Sequence, residues 1–173
     1  MKRPVRECIS RDEPLVGRKA DTVRSATAQM AEHACSSILI CEGEKLEGIF
    51  TERDLLVRVV AAGLDPDQVK LGEVMTPDPD TIDSGEPVIE AIRRMDEFSY
   101  RHLPVVDGDK VLGVVSLRDL SFEDIANAQP ELDQRRHLGK LRHARLGRHR
   151  QSAGGALAEL RQDGRRGHHH GAD

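Results

Sequence analysis

Gly48-Ile49-Phe50-Thr51-Glu52-Arg53-Asp54-Leu55 is matched, 65 residues further on, by Gly113-Val114-Val115-Ser116-Leu117-Arg118-Asp119-Leu120. Each stretch leaves a glycine, runs through two apolar residues to a hydroxyl, and places an aspartate three residues after it. Working outward, the same shift lays 23–55 on 88–120 without a gap. Val23, Ala26, Met30 and Glu32 meet Val88, Ala91, Met95 and Glu97, and Gly43 and Lys45 meet Gly108 and Lys110. Ten of these 33 positions are identical, and most others are conservative, such as Ile40 with Val105 or Glu42 with Asp107. A shift of 66 pairs Cys8-Ile9-Ser10 with Val74-Met75-Thr76 and Leu15-Val16 with Thr81-Ile82, so one residue is gained or lost ahead of the first helix. The body of the chain is a duplicated unit.

Each copy reads as β-α-β-β-α. A short extended segment (Leu15-Val16; Thr81-Ile82) leads into a helix with apolar residues at helical spacing: Val23, Ala26, Met30; Val88, Ala91, Ile92, Met95. A buried strand follows, Ser37-Ile38-Leu39-Ile40 or Leu103-Pro104-Val105-Val106, then a turn with Gly43 or Gly108 where a hairpin needs positive φ. The second hairpin strand ends in a last helix expected to begin at Thr51 or Ser116, the first running through Val60-Ala61-Ala62 and stopping at Gly63. At about 50–55 residues a copy is marginal alone. The expected fold is therefore α/β (α+β): two repeats, at 5–64 and 71–128, packed sheet to sheet as one pseudo-symmetric module.

Composition narrows the function. The 173 residues are 38% hydrophobic, 2% aromatic and carry a net charge of −4, which disfavours aromatic base-stacking and a whole-protein grip on nucleic acid or anionic membrane. No apolar run is long enough to cross a bilayer, no secretory signal opens the chain, and three cysteines (Cys8, Cys35, Cys41) form no even framework; a reducing cytoplasmic setting is expected. The charge is uneven. Residues 1–130 hold 16 Lys+Arg against 25 Asp+Glu, whereas 131–173 hold ten against five together with six of the eight histidines. That basic tail has too few apolar residues to fold alone, and is expected to be mostly disordered or weakly helical.

At the strand-to-helix junctions two readings stand side by side. Thr51 and Asp54, or Ser116 and Asp119, form an [ST]-x-x-[DE] capping box, contributing about 1 kcal/mol of helix stability. The same atoms suit a phosphate-bearing nucleoside: free N–H groups and a hydroxyl for phosphate, and a carboxylate able to accept from two vicinal ribose hydroxyls.

Together with Val74-Met75-Thr76 and Arg101-His102-Leu103-Pro104-Val105-Val106, these junctions make residues 5–122 resemble a tandem cystathionine β-synthase (CBS) domain module, known as a Bateman module. The resemblance implies a non-enzymatic regulatory module that binds adenosine nucleotides in clefts between the halves, forms dimers and modulates a partner protein. Its regulatory ligand would be AMP, ADP, ATP or S-adenosylmethionine, with no cofactor. Carried over by position, Thr76, Tyr100, Arg101, His102, Pro104, Ser116, Arg118 and Asp119 would form the second cleft. Thr51, Arg53 and Asp54, with Ser37 and Leu39 where the other copy has His102 and Pro104, would form the first. The second cleft keeps more of the wall motif and is expected to be the stronger. Two alternatives remain: a dimerisation scaffold with degenerate clefts, or a nucleic-acid-associated regulator acting through the basic tail. A metal site at His33, Cys35 and Cys41 is disfavoured by spacing, and no nucleophile-base-acid set is present.

Overall fold

The computed structural model describes residues 3–9, 11 and 13–135 and divides into two units, 1–128 and 129–173. Of the second unit the described residues, 129–135, are helical, with Gln129 donating to Asp133 at 2.8 Å. The expectation for the rest of the tail lies outside the described residues.

In the first unit a 3₁₀ turn (Val5–Cys8) precedes β1 (Val16–Gly17), α1 (Val23–Glu32), β2 (Ser37–Glu42), β3 (Lys45–Thr51) and α2 (Glu52–Asp54), which runs into a π-helical stretch (Leu55–Val60). Then come α3 (Leu71–Val74), β4 (Thr76–Pro77), β5 (Ile82–Asp83), α4 (Val88–Phe98), β6 (His102–Asp107) and β7 (Lys110–Ser116). One sheet has the order β1-β2-β3-β4 and the other β5-β6-β7. In both, a two-residue lead strand pairs parallel with the first hairpin strand, Val16 opposite Leu39 and Ile82 opposite Val105. The duplication extends to defects: the hairpin register slips between Ile40 and Cys41 in one copy and between Val105 and Val106 in the other. Gly43 and Gly108 turn the hairpins at φ 62° and 59°, a region open to glycine at little cost.

The core follows from strand alternation. Ile38, Ile40 and Phe50 pack with Val23, Ala26 and Met30 of α1, and with Val59, Leu71, Val74 and Met75. Leu39, between Ile38 and Ile40, points to the opposite face, yet it is fully buried, and its repeat mate Pro104 is buried too. Where β3 and β7 meet, each sheet is covered by a helix layer on one side and by the other repeat on its second side.

Each repeat's leading segment is stitched to the other repeat. Val5 N donates to Glu86 O at 2.8 Å, Arg6 N to Ser84 O at 3.1 Å, and Val88 N to Arg3 O at 2.9 Å, while Pro4 bridges Pro87. In the mirrored contact Leu71 N donates to Asp21 O at 2.9 Å, Val23 N to Val69 O at 3.1 Å, and Lys70 bridges Thr22. Two glycines permit the exchange. A Cβ on Gly48 would stand 2.4 Å from Met75 Sδ, and one on Gly113 would stand 2.6 Å from Ile9 Cγ2.

Two sequence expectations need correction. No helix starts at Ser116: residues 117–119 form a turn, and helix resumes at 122 behind a separate cap in which Ser121 N and Oγ donate to Asp124 at 3.0 and 2.7 Å. The helix after Thr51 does start there, but holds α-register only through Asp54 before widening. Ala61 N then bonds Leu56 O, five residues back, and Leu56, Val57 and Val60 are left exposed.

Candidate functional site: two cavities between the repeats

Because the leading segments are exchanged, each hydroxyl-aspartate junction faces the loop of the other repeat. The larger cavity, about 780 Å³, is built on Thr51, Arg53 and Asp54, closed by Thr76 of β4 and by Tyr100, Arg101 and His102 at the entry to β6. Its size lies within the range of small-ligand pockets, roughly 300–1,000 Å³. The smaller, about 290 Å³, is built on Ser116, Arg118 and Asp119 and closed by Ser37, Arg11 and the His33–Cys35 turn. The expected grouping is thus crossed: Thr76 and Tyr100 stand with Thr51 and Asp54, and Ser37 stands with Ser116 and Asp119. His102, Ser116 and Arg118 line both cavities, and Arg101 lines the larger. Leu39 and Pro104 line neither. They share a strand face with Ser37 and His102 but lie two residues further along it, past the opening, where both are buried.

Both aspartates engage their own junction. Asp54 Oδ2 accepts from the Thr51 amide at 2.9 Å and the Thr51 hydroxyl at 2.7 Å, while the Asp54 amide donates back to Thr51 Oγ1 at 3.4 Å. Asp119 Oδ2 accepts from the Ser116 amide and hydroxyl, both at 2.7 Å. The capping box therefore forms around Thr51. Around Ser116 the same bonds brace a turn, so no helix N-terminus faces the smaller cavity.

Charge in the larger cavity is mixed: Arg53, Arg58, Arg101 and Arg118 share it with Glu52, Asp54, Asp78 and Asp80. Tyr100 donates to Asp80 at 3.3 Å and stacks on Phe98 with ring centres 5.9 Å apart. Burial, then the Asp80 carboxylate, pushes its phenol up to about 12, so it remains a donor at neutral pH. The His102 Nε2 lies 2.7 Å from Ser36 Oγ, joining the two loops across the repeat axis. Burial and then the Arg101 charge push the imidazole below its ordinary pKa, against smaller opposing pulls from Glu52 and Asp119. Just before each of these strands a non-glycine residue holds a left-handed conformation, Ala34 at φ 52° and Ser99 at φ 59°, one at each cavity.

Sequence reading missed Arg58, Asp78, Asp80 and Ser36. Arg58 had a signal, being four residues after Asp54 on a helical segment. Ser36 had none, since its partner lies 66 residues away. Among the described residues no His, Cys, Asp or Glu group is arranged for a metal; His33 and Cys35 line the smaller cavity instead.

A family model described as "CBS domain" matches residues 5–61 and 71–125. The chain belongs to the CBS-domain family. Its tandem CBS module is similar to that of the meiotically up-regulated gene 70 protein of Schizosaccharomyces pombe, at 39% identity over 113 residues, or 65% of this chain. The match spans 16% of that relative's length. Among solved structures, the module is similar to a CBS-domain protein of Burkholderia ambifaria ascribed to signal transduction, with a TM-score of 0.64 and 29% identity over 68% of this chain and 90% of the other. A CBS domain protein of Pyrobaculum aerophilum in complex with AMP shares the fold, at TM-score 0.67 and 24% identity over 74% of this chain and 99% of the other. A CBS tandem module is a regulatory domain, and no helix among the described residues is long and apolar enough to cross a membrane.

Proposed function

We propose that this protein is a non-enzymatic, cytoplasmic sensor whose CBS module, with repeats at 5–64 and 71–128, binds adenosine nucleotides and modulates a partner protein. The observation that carries this reading is the larger cavity, which brings the Thr51–Asp54 junction of one repeat to the Tyr100–His102 loop of the other. Arg53, Arg101 and Arg118 supply donors for phosphate, and Asp54, whose Oδ2 already accepts from the Thr51 hydroxyl, supplies Oδ1 as the acceptor for ribose hydroxyls. Thr76, Tyr100 and His102 form the wall against which a base can lie. The AMP held by the Pyrobaculum protein supports the ligand class. The smaller cavity, expected from sequence to be the stronger, would repeat the arrangement with Ser116, Arg118, Asp119 and Ser37 for a second ligand, held more weakly because its volume is about 290 Å³ against about 780 Å³. Exposed Leu56, Val57, Val60 and Leu64 offer an apolar face for a homodimer.

A second reading, a dimerisation scaffold, draws on the same exposed face and on the capping bonds that already occupy Oδ2 of each aspartate. Calorimetric titration with AMP, ADP, ATP and S-adenosylmethionine separates the two. Sensing requires binding by the wild type that Asp54→Ala abolishes or weakens strongly. Absence of heat and of thermal stabilisation with all four ligands would leave the scaffold.

A further inference from the structure

The two aspartates are held differently, and the difference lies one helical turn away. Arg58 Nε stands 3.3 Å from Asp54 Oδ1. Its Nη1 donates to Val74 O at 2.9 Å and Met75 O at 2.7 Å, and its Nη2 to Thr76 Oγ1 at 3.2 Å. A planar, five-donor guanidinium can meet this set, whereas a point-charge ammonium cannot. Asp54 is thereby held from both sides: Oδ2 by its two hydrogen bonds from Thr51, and Oδ1 by the Arg58 charge in an ion pair. Its carboxylate plane is set, and with both Oδ2 lone pairs taken by Thr51 it is Oδ1 that remains to accept. In the other repeat the residue matching Arg58 is Glu123, whose ionised carboxylate cannot donate to Asp119.

We infer that Arg58 is a positioning residue that sets the larger cavity's preference for a vicinal ribose diol and makes it the stronger of the two sites. This rests on the nucleotide reading above and adds to it a cause for selectivity. A carboxylate fixed in plane accepts from two adjacent hydroxyls without losing torsional freedom on binding; one free to rotate meets that cost again for each ligand. The same guanidinium fixes Thr76 and the backbone of Val74 and Met75, so the cavity wall and the ribose acceptor are set by one side chain.

The test is the ratio of affinities for AMP and 2′-deoxy-AMP, measured by calorimetry on the full chain as wild type, Arg58→Gln, Asp54→Asn and the double variant. The wild type should favour AMP by roughly tenfold, the loss expected for one charge-assisted hydrogen bond. Arg58→Gln should bring the ratio most of the way to one, and should change it no further in the Asp54→Asn background, because Arg58 acts through Asp54. A general loosening would weaken both ligands equally and leave the ratio intact; that result overturns the inference. Arg58→Lys, which keeps the charge but not the fork, should also lose the ratio, and stands in should the Gln variant fail to fold. A wild type that binds neither nucleotide overturns the nucleotide reading and this inference with it, whereas an Asp54→Asn protein with an unchanged ratio overturns the ribose role of Asp54 and this inference while nucleotide binding stands. An altered ratio in Asp54→Asn with an unaltered one in Arg58→Gln overturns only the role of Arg58.

Discussion

Asp54 and Asp119 show how one side chain carries two readings at once. Each accepts an amide and a hydroxyl on Oδ2, which caps a helix at Asp54 and braces a turn at Asp119, while Oδ1 remains for another partner. Removing the cap has a cost independent of any ligand: Asp54→Ala should destabilise the fold by about 1 kcal/mol, read as a lower urea midpoint without nucleotide. His102 gives a second residue-scale expectation. Its folded pKa lies below the free value, so the unfolded chain binds the proton more readily. Its contribution is present above pH 6.5 and is lost as pH falls from there to the lowered folded value. Relative to His102→Gln, the wild type should lose stability across that window. Parallel curves for the two proteins would show that the imidazole titrates alike folded and unfolded.

Among the elements, β3, β7 and α4 are the most tightly constrained. Gly48→Ala drives a methyl into Met75 Sδ, and Gly113→Ala drives one into Ile9. Each should cost about 1–3 kcal/mol by overpacking, read as a lower urea midpoint. On α4, Arg93 and Arg94 both pair with Glu90, and Arg94 reaches back to Glu86 and Thr81 O. The guanidinium of Arg93, then that of Arg94, outweighs burial and holds Glu90 at about 2. Stability from this group is therefore full above about pH 4.5 and disappears as pH falls through about 2. Glu90→Gln should be less stable than the wild type at neutral pH, with the gap closing over that acid range in denaturant melts. A constant gap would locate its effect in packing.

At the scale of the whole molecule, the exchange of leading segments makes the two repeats one cooperative object. Val5 is fully buried, and its amide bonds Glu86 of the other repeat. Val5→Ala should cost about 1.5–3 kcal/mol. Its local signature should be faster amide exchange at Val88, whose N–H donates to Arg3 O, ahead of any change around β1 and β2 in the first repeat.

Much of this molecule is determined by residues acting over short distances. Strand pleat, hairpin glycine and helical spacing are each properties of a few consecutive residues, and duplication let every one be checked against its copy. The two repeats, their element order and the hydroxyl-aspartate junctions were legible for that reason. The failures are all non-local. Ser116 heads the same motif as Thr51, yet only tertiary contacts decide that a turn follows one and a helix the other. Leu39 and Pro104 share a strand face with the cavity residues Ser37 and His102, but only the packing of the repeats decides that the opening ends before it reaches them. The crossing of Thr76 and Tyr100 to Asp54, and of Ser37 to Asp119, depends on which repeat each leading segment packs against. Both packings satisfy the same local pattern, and only contacts between the two repeats choose between them, as those from Val5 to Glu86, from Leu71 to Asp21 and from His102 to Ser36 do.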